Sequence, residues 1–201
     1  FLLLIQMWSE TWQRMYSGSR EWYSREPGIG MTSSTISKSN APQHIAAPFL
    51  TTVMQIEPQW IDYNGHLNMA YYNVLFDRAN DHALAALGMN LDYVKNRKLT
   101  IYTAEIHVTY VRELHQGENV YATFQLLDHD NKRLHVFQEL YHEDGWLAAT
   151  SEQLALHIDM SGPKVAPFPD DIMAKVKAMA AEHGKLPRPG RAGRSIGIKR
   201  K

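Results

Sequence analysis

The sequence predicts an α+β fold in which an antiparallel sheet of five strands curls around one central helix. One long stretch of apolar residues at helical spacing follows a first apolar, extended segment. Four later segments alternate apolar and polar residues and are separated by short turns that contain Gly or Asp. Successive hairpins predict an antiparallel meander, and such a sheet buries a helix by wrapping around it. The predicted order is therefore strand, helix and four strands.

The length of 201 residues predicts one domain with a tail on each side. We predict an N-terminal extension and linker, partly disordered, at 1–48, the folded domain at 49–160, and a C-terminal helix with a basic tail at 161–201. Met31 opens a linker-like stretch rich in Ser, Thr and Pro, so we expect residues 1–30 to precede the native start. The apolar run Phe1–Ile5 lacks the basic and longer apolar parts of a signal peptide.

The charge balance and the lack of cysteine exclude several functions. With 21 basic and 21 acidic residues the formal net charge is zero, so the composition predicts neither a nucleic-acid nor a membrane partner. No apolar stretch approaches the roughly 20 residues that a membrane span needs. Without cysteine the chain forms no disulfide, thiolate zinc site or cysteine nucleophile. This composition fits a reducing compartment, and we expect the protein in the cytoplasm.

The first strand is predicted over Phe49–Trp60, a mostly apolar and β-branched stretch that Pro58 interrupts. The central helix is predicted over Met69–Leu87. Asn68 is the expected N-cap, and Gly88 is the expected stop. The apolar residues that follow helical spacing are Met69, Tyr72, Phe76, Ala79, Ala83 and Leu87.

The four later strands are predicted from residue 100 to residue 158. In Thr100–Arg112 the residues predicted on one face are Tyr102, Ala104, Ile106, Val108 and Tyr110. The following strands place Val120, Ala122, Phe124 and Leu126, then Leu134, Val136 and Leu140, on their apolar faces, and the last strand is predicted over Trp146–Ile158.

After the sheet, Asp170–His183 predicts an amphipathic helix, and residues 184–201 predict a solvated, disordered basic tail. Within that tail Gly193–Gly197 matches the letters G-x-S-x-G. A nucleophile elbow needs a strand before it, a helix after it, and Asp and His further downstream. Because only four residues follow Gly197, we interpret the match as coincidental.

The segment Asp62–Asn68 concentrates polar chemistry at the predicted junction between strand and helix. Its seven residues include a carboxylate, an imidazole, two amides and a glycine. A carboxylate can attack a carbonyl or deprotonate water, while amides at a helix start hold a developing oxyanion. This arrangement favours acyl transfer to water. Asp and Asn are also ordinary turn and capping residues, and His66 could either orient a substrate or only close the loop.

Two strings resemble those of the hotdog fold, in particular the 4-hydroxybenzoyl-CoA thioesterase-like group. The first is D-x-N-G-H-x-N at Asp62–Asn68, with Tyr72 beyond it, and the second is Y-x-R-E-L-x-x-G at Tyr110–Gly117. The resemblance covers about residues 50–160. More narrowly, the chain is similar to thioesterases of carnitine breakdown that are thought to hydrolyse betainyl-CoA. Some carnitine dehydrogenases carry a similar domain fused at one end.

The resemblance implies an enzyme that hydrolyses a small acyl-CoA to free acid and CoA without a metal or cofactor. Asp62 would be the catalytic carboxylate, as nucleophile or general base, with His66 and Asn68 in support. Gly65 would permit the tight turn. The amides near Asn68 and Met69 would polarise the thioester carbonyl. The family implies a homodimer or homotetramer whose subunits share active sites.

Five residues are predicted to bind substrate. Trp60, Tyr63, Tyr72 and Tyr102 form a loose aromatic set around the loop, and Arg112 would lie near the CoA phosphates. Core packing is the default interpretation of such rings. If the acyl group carries a trimethylammonium, each ring could contribute a cation–π attraction of about 0.5–2 kcal/mol.

Two other functions remain open. A hotdog hydratase or dehydratase often has a D-x-N-P-x-H string, whereas here Gly65 replaces the proline and the imidazole of His66 comes one position earlier. A non-catalytic module would bind acyl-CoA without turnover. Glu105 is a reserve candidate for the carboxylate, although a solvated strand face is the favoured interpretation. The ten histidines include no H-x-H or H-x-x-x-H pair, so no metal site is predicted.

Overall fold

The computed structural model describes residues 46–198, which belong to one compact unit. The predictions for residues 1–45 lie outside this range. The elements are β1 (Phe49–Leu50), β2 (Met54–Gln55), a 3-10 helix (Pro58–Trp60), α1 (Met69–Ala86), α2 (Leu91–Arg97), β3 (Leu99–Tyr110), β4 (Asn119–His129), β5 (Arg133–His142), β6 (Leu147–Asp159), β7 (Lys164–Val165) and α3 (Asp170–His183). The architecture is the α+β arrangement of sheet and central helix that the sequence predicts.

The sheet is antiparallel, with the strand order β1-β4-β5-β6-β3 and with β2 paired to β4 and β7 to β6. The predicted meander is correct for β4, β5 and β6 but wrong for β3, which pairs with β6 rather than with β4. Residues 111–118 therefore do not form a hairpin turn. They cross the end of the sheet, anchored by the fully buried Leu114 and by bonds from the amides of Val111 and Arg112 to Ala148 O.

The single first strand predicted over Phe49–Trp60 is also wrong. Two strands of two residues each pair with β4, through Phe49 opposite Phe124 and Met54 opposite Val120. A 3-10 helix then begins at Pro58. Proline has no N–H for a strand ladder and suits the first position of a helix, so the chain leaves the sheet there.

A bulge in β3 divides that strand into two halves of opposite alternation. The register shifts between Thr103 and Glu105, and one extra residue, Ala104, has no partner in β6. An extra residue moves every later side chain to the other face. Tyr102 and Ile106 therefore lie on opposite faces, and the prediction that they share one is wrong.

Helix α1 is close to its predicted bounds. The side chain of Asn68 accepts a hydrogen bond from Ala70 N at 3.0 Å, and Gly88, with φ +88°, ends the helix in the left-handed conformation that glycine allows. Its buried residues are Tyr72, Leu75, Phe76, Ala79 and Ala83. Burying each large apolar side chain contributes about 1.5–3 kcal/mol, so this face attaches the helix to the sheet.

Helix α3 matches its predicted bounds and packs on β4, where His183 Nδ1 accepts from Leu126 N at 2.9 Å. The tail beyond it was predicted to be solvated and disordered; residues 184–193 have no buried member, but they contact the sheet at two points. The amide of Gly193 donates to Glu152 Oε2 at 2.6 Å, and Gln125 Nε2 donates to Pro187 O at 3.3 Å. The first part of the tail therefore lies against the sheet.

Candidate active site

The turn before α1 is held together by the Asp62 side chain and backbone. Asp62 Oδ1 accepts from Asn64 N at 2.8 Å and from His66 N at 3.5 Å, while Asp62 N donates to His66 O at 2.9 Å. Gly65 has φ +83°, and a Cβ there would meet no atom within 4 Å, so the backbone angle alone requires glycine. Asp62 Oδ2 has no hydrogen-bond partner among residues 46–198 and is available for chemistry.

The first backbone N–H groups of α1 differ in whether a protein group already accepts their hydrogen bond. Asn68 N–H donates to Trp60 O at 2.9 Å, and Ala70 N–H is occupied by the Asn68 cap. Met69 N–H has no hydrogen-bond partner within the described part of the chain. The positive end of the helix dipole adds to its strength as a donor toward an anion. Of the two amides predicted to polarise the thioester carbonyl, near Asn68 and Met69, only that of Met69 is still free to donate within the described chain.

Residues 111–118, which we call the crossing segment, pack on this turn. Leu114 O accepts from Leu67 N at 2.7 Å, and His115 Nδ1 lies 3.2 Å from Gly65 O. A carbonyl oxygen only accepts, so His115 Nδ1 carries the hydrogen of that bond. The turn is therefore fixed from outside by residues almost 50 positions later in the sequence.

The crossing segment also supplies polar groups to the His66 side chain. His66 Nε2 lies 3.4 Å from Glu113 Oε2, and the His66 and His115 rings meet edge to face at 5.3 Å between centroids. Reasoning from the sequence missed Glu113 and His115 as site residues. The signal was present, because both belong to the Y-x-R-E-L-x-x-G string, but nothing local indicates what the string contacts.

The predicted aromatic set assembles around the turn only in part. Trp60 is buried, stacks on Tyr71 with centroids 5.6 Å apart, and has the Arg78 guanidinium 4.8 Å from its ring. Tyr63 is 97% exposed and projects from the turn. Tyr102 lies on the outer face of β3, eight residues from the end nearest the turn, which is about 25 Å along the strand. The structure separates Tyr102 from the turn within one chain.

Tyr110, and not Tyr102, is the tyrosine of β3 that lies beside the turn before α1. Its ring meets that of Tyr72 edge to face at 5.0 Å, and its hydroxyl donates to Met69 O at 3.2 Å. Burial raises the pKa of Tyr72 to about 12, so its hydroxyl stays protonated and does not act as a base. Tyr110, 44% exposed, is thus the aromatic side chain presented beside the start of α1 at Met69.

A cavity of about 350 Å³ lies on the other side of the crossing segment. It is lined by Val111, Arg112, Glu113, His115, Glu118 and Trp146. The Arg112 guanidinium lies 4.1 Å from the Trp146 ring, which stacks on His142 at 4.6 Å. Arg112 forms no ion pair with residues 46–198, so its charge is available to an anion at the cavity rim.

A smaller cavity, about 70 Å³, opens between α1 and β3 and includes Asp77 and Asp81 in its lining. Burial, with an added contribution from the charge of Asp77, raises the pKa of Asp81 to about 6. Burial raises the pKa of Asp77 too, opposed by the charge of Arg78. Both residues keep exposed surface, so water screens their charges. Glu105, the reserve carboxylate, faces away from α1.

Residues 46–198 show neither a cluster of metal ligands nor a helix that could cross a membrane. No three side chains of His, Asp or Glu lie together as metal ligands in this range. None of the helices found there combines the length and apolar character needed to cross a membrane.

Fold and site together define a hydrolase of hotdog type, with a carboxylate turn at the start of a sheet-packed helix. Residues 56–176 match the sequence pattern of the thioesterase-like superfamily, and the chain belongs to that superfamily. This confirms the hotdog class and the thioester hydrolase predicted from the sequence.

Known relatives and structures agree with this assignment. The chain is 39% identical over 142 residues to the betainyl-CoA thioesterase of Pseudomonas aeruginosa, which covers 70% of this chain and 89% of the relative. It is 36% identical over 156 residues to the L-carnitine dehydrogenase/betainyl-CoA thioesterase of Rhizobium meliloti, covering 77% of this chain but only 31% of that longer protein. A Staphylococcus aureus protein solved in complex with CoA superposes with a TM-score of 0.71 and 28% identity, over 79% of this chain and 100% of the other.

Proposed function

We propose that the protein is an acyl-CoA thioesterase whose substrate is betainyl-CoA. The observation that carries the proposal is that Asp62 Oδ2 and Met69 N–H, both near the start of α1, have no hydrogen-bond partner among residues 46–198. The thioester carbonyl oxygen would accept from Met69 N–H while Asp62 reacts at the carbonyl carbon or activates water. The names of the relatives support betainyl-CoA as the substrate.

Two routes are open to Asp62. As nucleophile, Asp62 Oδ2 forms a bond to the carbonyl carbon, the C–S bond breaks to release the CoA thiolate, and water hydrolyses the resulting anhydride. As general base, Asp62 removes a proton from the water that attacks the carbonyl directly. A single turnover in ¹⁸O-labelled water tests the first route, because ¹⁸O enters the Asp62 carboxylate only when an anhydride forms and water attacks its aspartyl carbonyl carbon.

The size of the betainyl group decides which residues can contact its cation. The quaternary nitrogen is two bonds from the carbonyl carbon, or about 2.5 Å. Asp77 is eight residues along α1 from Met69, which is about 12 Å at the helical rise, too far for contact. Tyr110 lies beside Met69 and can supply a cation–π attraction of about 0.5–2 kcal/mol. The two helix aspartates contribute only a long-range attraction.

The proposal places CoA across the crossing segment, with Arg112 near its phosphates. The uncompensated guanidinium on the Trp146 ring supports this assignment. Glu113 and Glu118 line the same cavity, so we place the phosphates at its rim and the uncharged pantetheine arm inside. Arg112→Gln should raise KM for CoA thioesters several-fold while kcat stays within about twofold, because the lost charge binds substrate and transition state alike.

We further propose a homodimer or homotetramer, with β3 as the contact between subunits. Among residues 46–198 this strand of 12 residues pairs with β6 on one side only, and it exposes Tyr102 and Ile106 to 40% and 45%. A long, apolar edge strand favours pairing with a strand of a second chain. Light scattering at assay concentration should therefore give at least twice the chain mass, and an active monomer would contradict the assignment. We place the enzyme in the cytoplasm, given the lack of cysteine.

Release of free thiol from a panel of acyl-CoAs tests the function. Asp62→Asn should lower kcat by about 100-fold or more, as expected for loss of a nucleophile or base. Asp92→Asn, an exposed carboxylate in the first turn of α2, is the matched control and should stay within about twofold. Binding without turnover of any thioester would favour the non-catalytic module. Hydration of an enoyl-CoA in place of thiol release would favour the hydratase.

A further inference from the structure

We propose that residues 187–193 form a strap that closes the outer face of the sheet to a second copy of the chain. The outer face is the one turned away from α1. The strap restricts assembly to other surfaces, among them the edge of β3. This proposal goes beyond the thioesterase function and does not rest on it.

Phe137 of β5 is a buried ring on the outer face. Its neighbour Gln138 faces α1, because Gln138 Nε2 donates to Phe76 O at 3.2 Å. Side chains alternate between the two faces along a strand, so Phe137 points to the outer face. It is nevertheless only 2% exposed, so something other than α1 covers it. The other outer residues of this strand keep more exposed surface: His135, Glu139 and Tyr141.

One row of paired residues shows what lies over this ring. Gln125 of β4 is opposite Phe137, and Phe137 is opposite Glu152 of β6. Directly opposed residues of a sheet point to the same face. Gln125 Nε2 donates to Pro187 O at 3.3 Å, and Glu152 Oε2 accepts from Gly193 N at 2.6 Å. The strap therefore contacts the residues on both sides of Phe137.

The length of the strap fits the distance between these two anchoring side chains. They lie two strand spacings apart, or about 9.5 Å. The six residues after Pro187 can reach about 20 Å when extended, so the strap has room for a turn. Ala192 N donates to Pro189 O at 3.0 Å in that turn, and both residues are half-buried. The turn thus lies over Phe137.

Glu152 is held in place by the sheet as well as by the strap. Its Oε1 accepts from His135 Nε2 at 2.8 Å, and its side chain is only 15% exposed. With one oxygen fixed in this way, the other is directed at Gly193 N. A bond from an N–H to an ionised carboxylate is stronger than one between neutral groups. The contact therefore anchors the end of the strap.

The strap changes the character of the surface that it covers. Without it Phe137 would join Leu154 and Leu156 of β6, which lie half-buried on the same face, in one apolar patch. Exposed apolar patches of this kind mark contacts between proteins. With the strap closed, the exposed side chains include Arg188 and, just beyond the strap, Arg194. Two closed copies would then meet with like charges.

Light scattering on three shortened chains at one concentration tests the effect on assembly. A chain that ends at Leu186 lacks the strap and should have about twice the parent mass, because two-fold pairing of outer faces closes on itself. A chain that ends at Ser195 keeps the strap and should match the parent. Phe137→Ser in the chain that ends at Leu186 should restore the parent mass. An unchanged mass, or an increase that Phe137→Ser leaves in place, would overturn the proposal.

Hydrogen exchange followed by NMR tests the strap independently of assembly. The Gly193 amide should exchange at least about tenfold more slowly than in an unstructured peptide, and Glu152→Ala should abolish this protection. His135→Gln retains the Glu152 carboxylate and should leave Gly193 protected. A Gly193 amide that exchanges as fast as in a peptide would show that the strap is not closed. Neither measurement involves thiol release, so the strap and the proposed function can fail separately.

Discussion

The two ends of helix α1 are built in opposite ways. At its start Met69 N–H and Asp62 Oδ2 have no hydrogen-bond partner in the described chain. Beyond its other end, near α2 and α3, the buried His157 and His183 are each bonded through both ring nitrogens, although His82 Nδ1 and His129 Nδ1 are buried without a partner in residues 46–198. His157 contacts Tyr93 Oη at 2.7 Å and Ala166 O at 2.8 Å.

The comparison assigns the chemistry of this fold to the start of α1 and much of its stability to the region near α2 and α3. The N–H groups at a helix start have no intrahelical partner, and at the exposed Met69 such a group is open to water or to a ligand, so we interpret this end as the one that meets substrate. A paired buried histidine, by contrast, fixes the packing of its neighbours. Variants at the two ends should therefore separate activity from stability.

The largest expected effect is at Met69, the first residue of α1. Met69→Pro removes the free N–H, while proline fits the first helical position and Asn68, at φ −61° and ψ 140°, already has the backbone that a following proline requires. We expect kcat to fall by about 100- to 1,000-fold with little change in melting temperature. Met69→Ala retains the amide and should keep kcat within about threefold. Equal activity of the two variants would place the oxyanion donor elsewhere.

The next effect is at the opposite end, in His183. Its Nδ1 accepts from Leu126 N and its Nε2 donates to Ala46 O at 2.9 Å, both in buried or part-buried surroundings. His183→Ala should lower the free energy of unfolding by about 1–3 kcal/mol, since the Leu126 amide loses its acceptor. Denaturant titration measures the loss, and kcat of the folded fraction should stay near that of the parent. A large loss of kcat without loss of stability would remove the distinction between the two ends.

Acid should lower the free energy of unfolding through the buried histidines near α2 and α3. Burial lowers the pKa of His157 and of His183 below the ordinary value of 6.5, so the unfolded chain binds protons more readily than the folded one. Their neutral forms stabilise the fold above that value, and this stability is lost as the pH falls below it. The free energy of unfolding, measured from pH 7.5 to 5, should fall less steeply in His157→Gln than in the parent chain. Parallel curves would show that His157 does not contribute.

The smallest effect is expected at Asp81. Its contribution to the free energy of unfolding changes with pH in the direction opposite to that of the two histidines. Because its pKa is raised to about 6 from an unfolded value of 3.8, the folded chain binds this proton more readily, and stability falls as the pH rises through that window. Asp81→Asn should therefore be slightly more stable than the parent at pH 7.5, and the difference should vanish below about pH 4. Chemical unfolding at both pH values measures it.

Local patterns predicted the parts of the fold whose causes are local. Helices α1 and α3 were predicted within a residue or two, because each has apolar spacing and, in α1, a cap and a glycine stop. The partner of β3, its bulge at Ala104 and the division of the first strand depend on contacts far along the chain. Helix α2, only seven residues long, was not predicted, since its start depends on a cap at Asn90 and its packing on α3 contacts such as Arg97 with Asp171.

The candidate site also has one part that the local sequence predicts and one part that depends on contacts far along the chain. Asp62, Gly65 and Asn68 lie in one short segment, so their proximity follows from the sequence alone. Tyr110, Glu113 and His115 reach that segment only because the crossing segment passes over it. Tyr102 is separated from the turn because it lies eight residues along β3 from Tyr110 and, owing to the bulge at Ala104, on the opposite face of the strand.

Under the proposed function, a single backbone donor for the carbonyl oxygen, the Met69 amide, would limit which substrates the enzyme can process. One hydrogen bond polarises a carbonyl less than the paired donors of many acyl-transfer enzymes, so the substrate must bring electrophilicity of its own. Sulfur donates electrons to a carbonyl poorly, and a quaternary ammonium one carbon away withdraws them further. The unoccupied Met69 amide would then select by reactivity as much as by shape, favouring electron-poor thioesters and sparing ordinary oxygen esters of similar size.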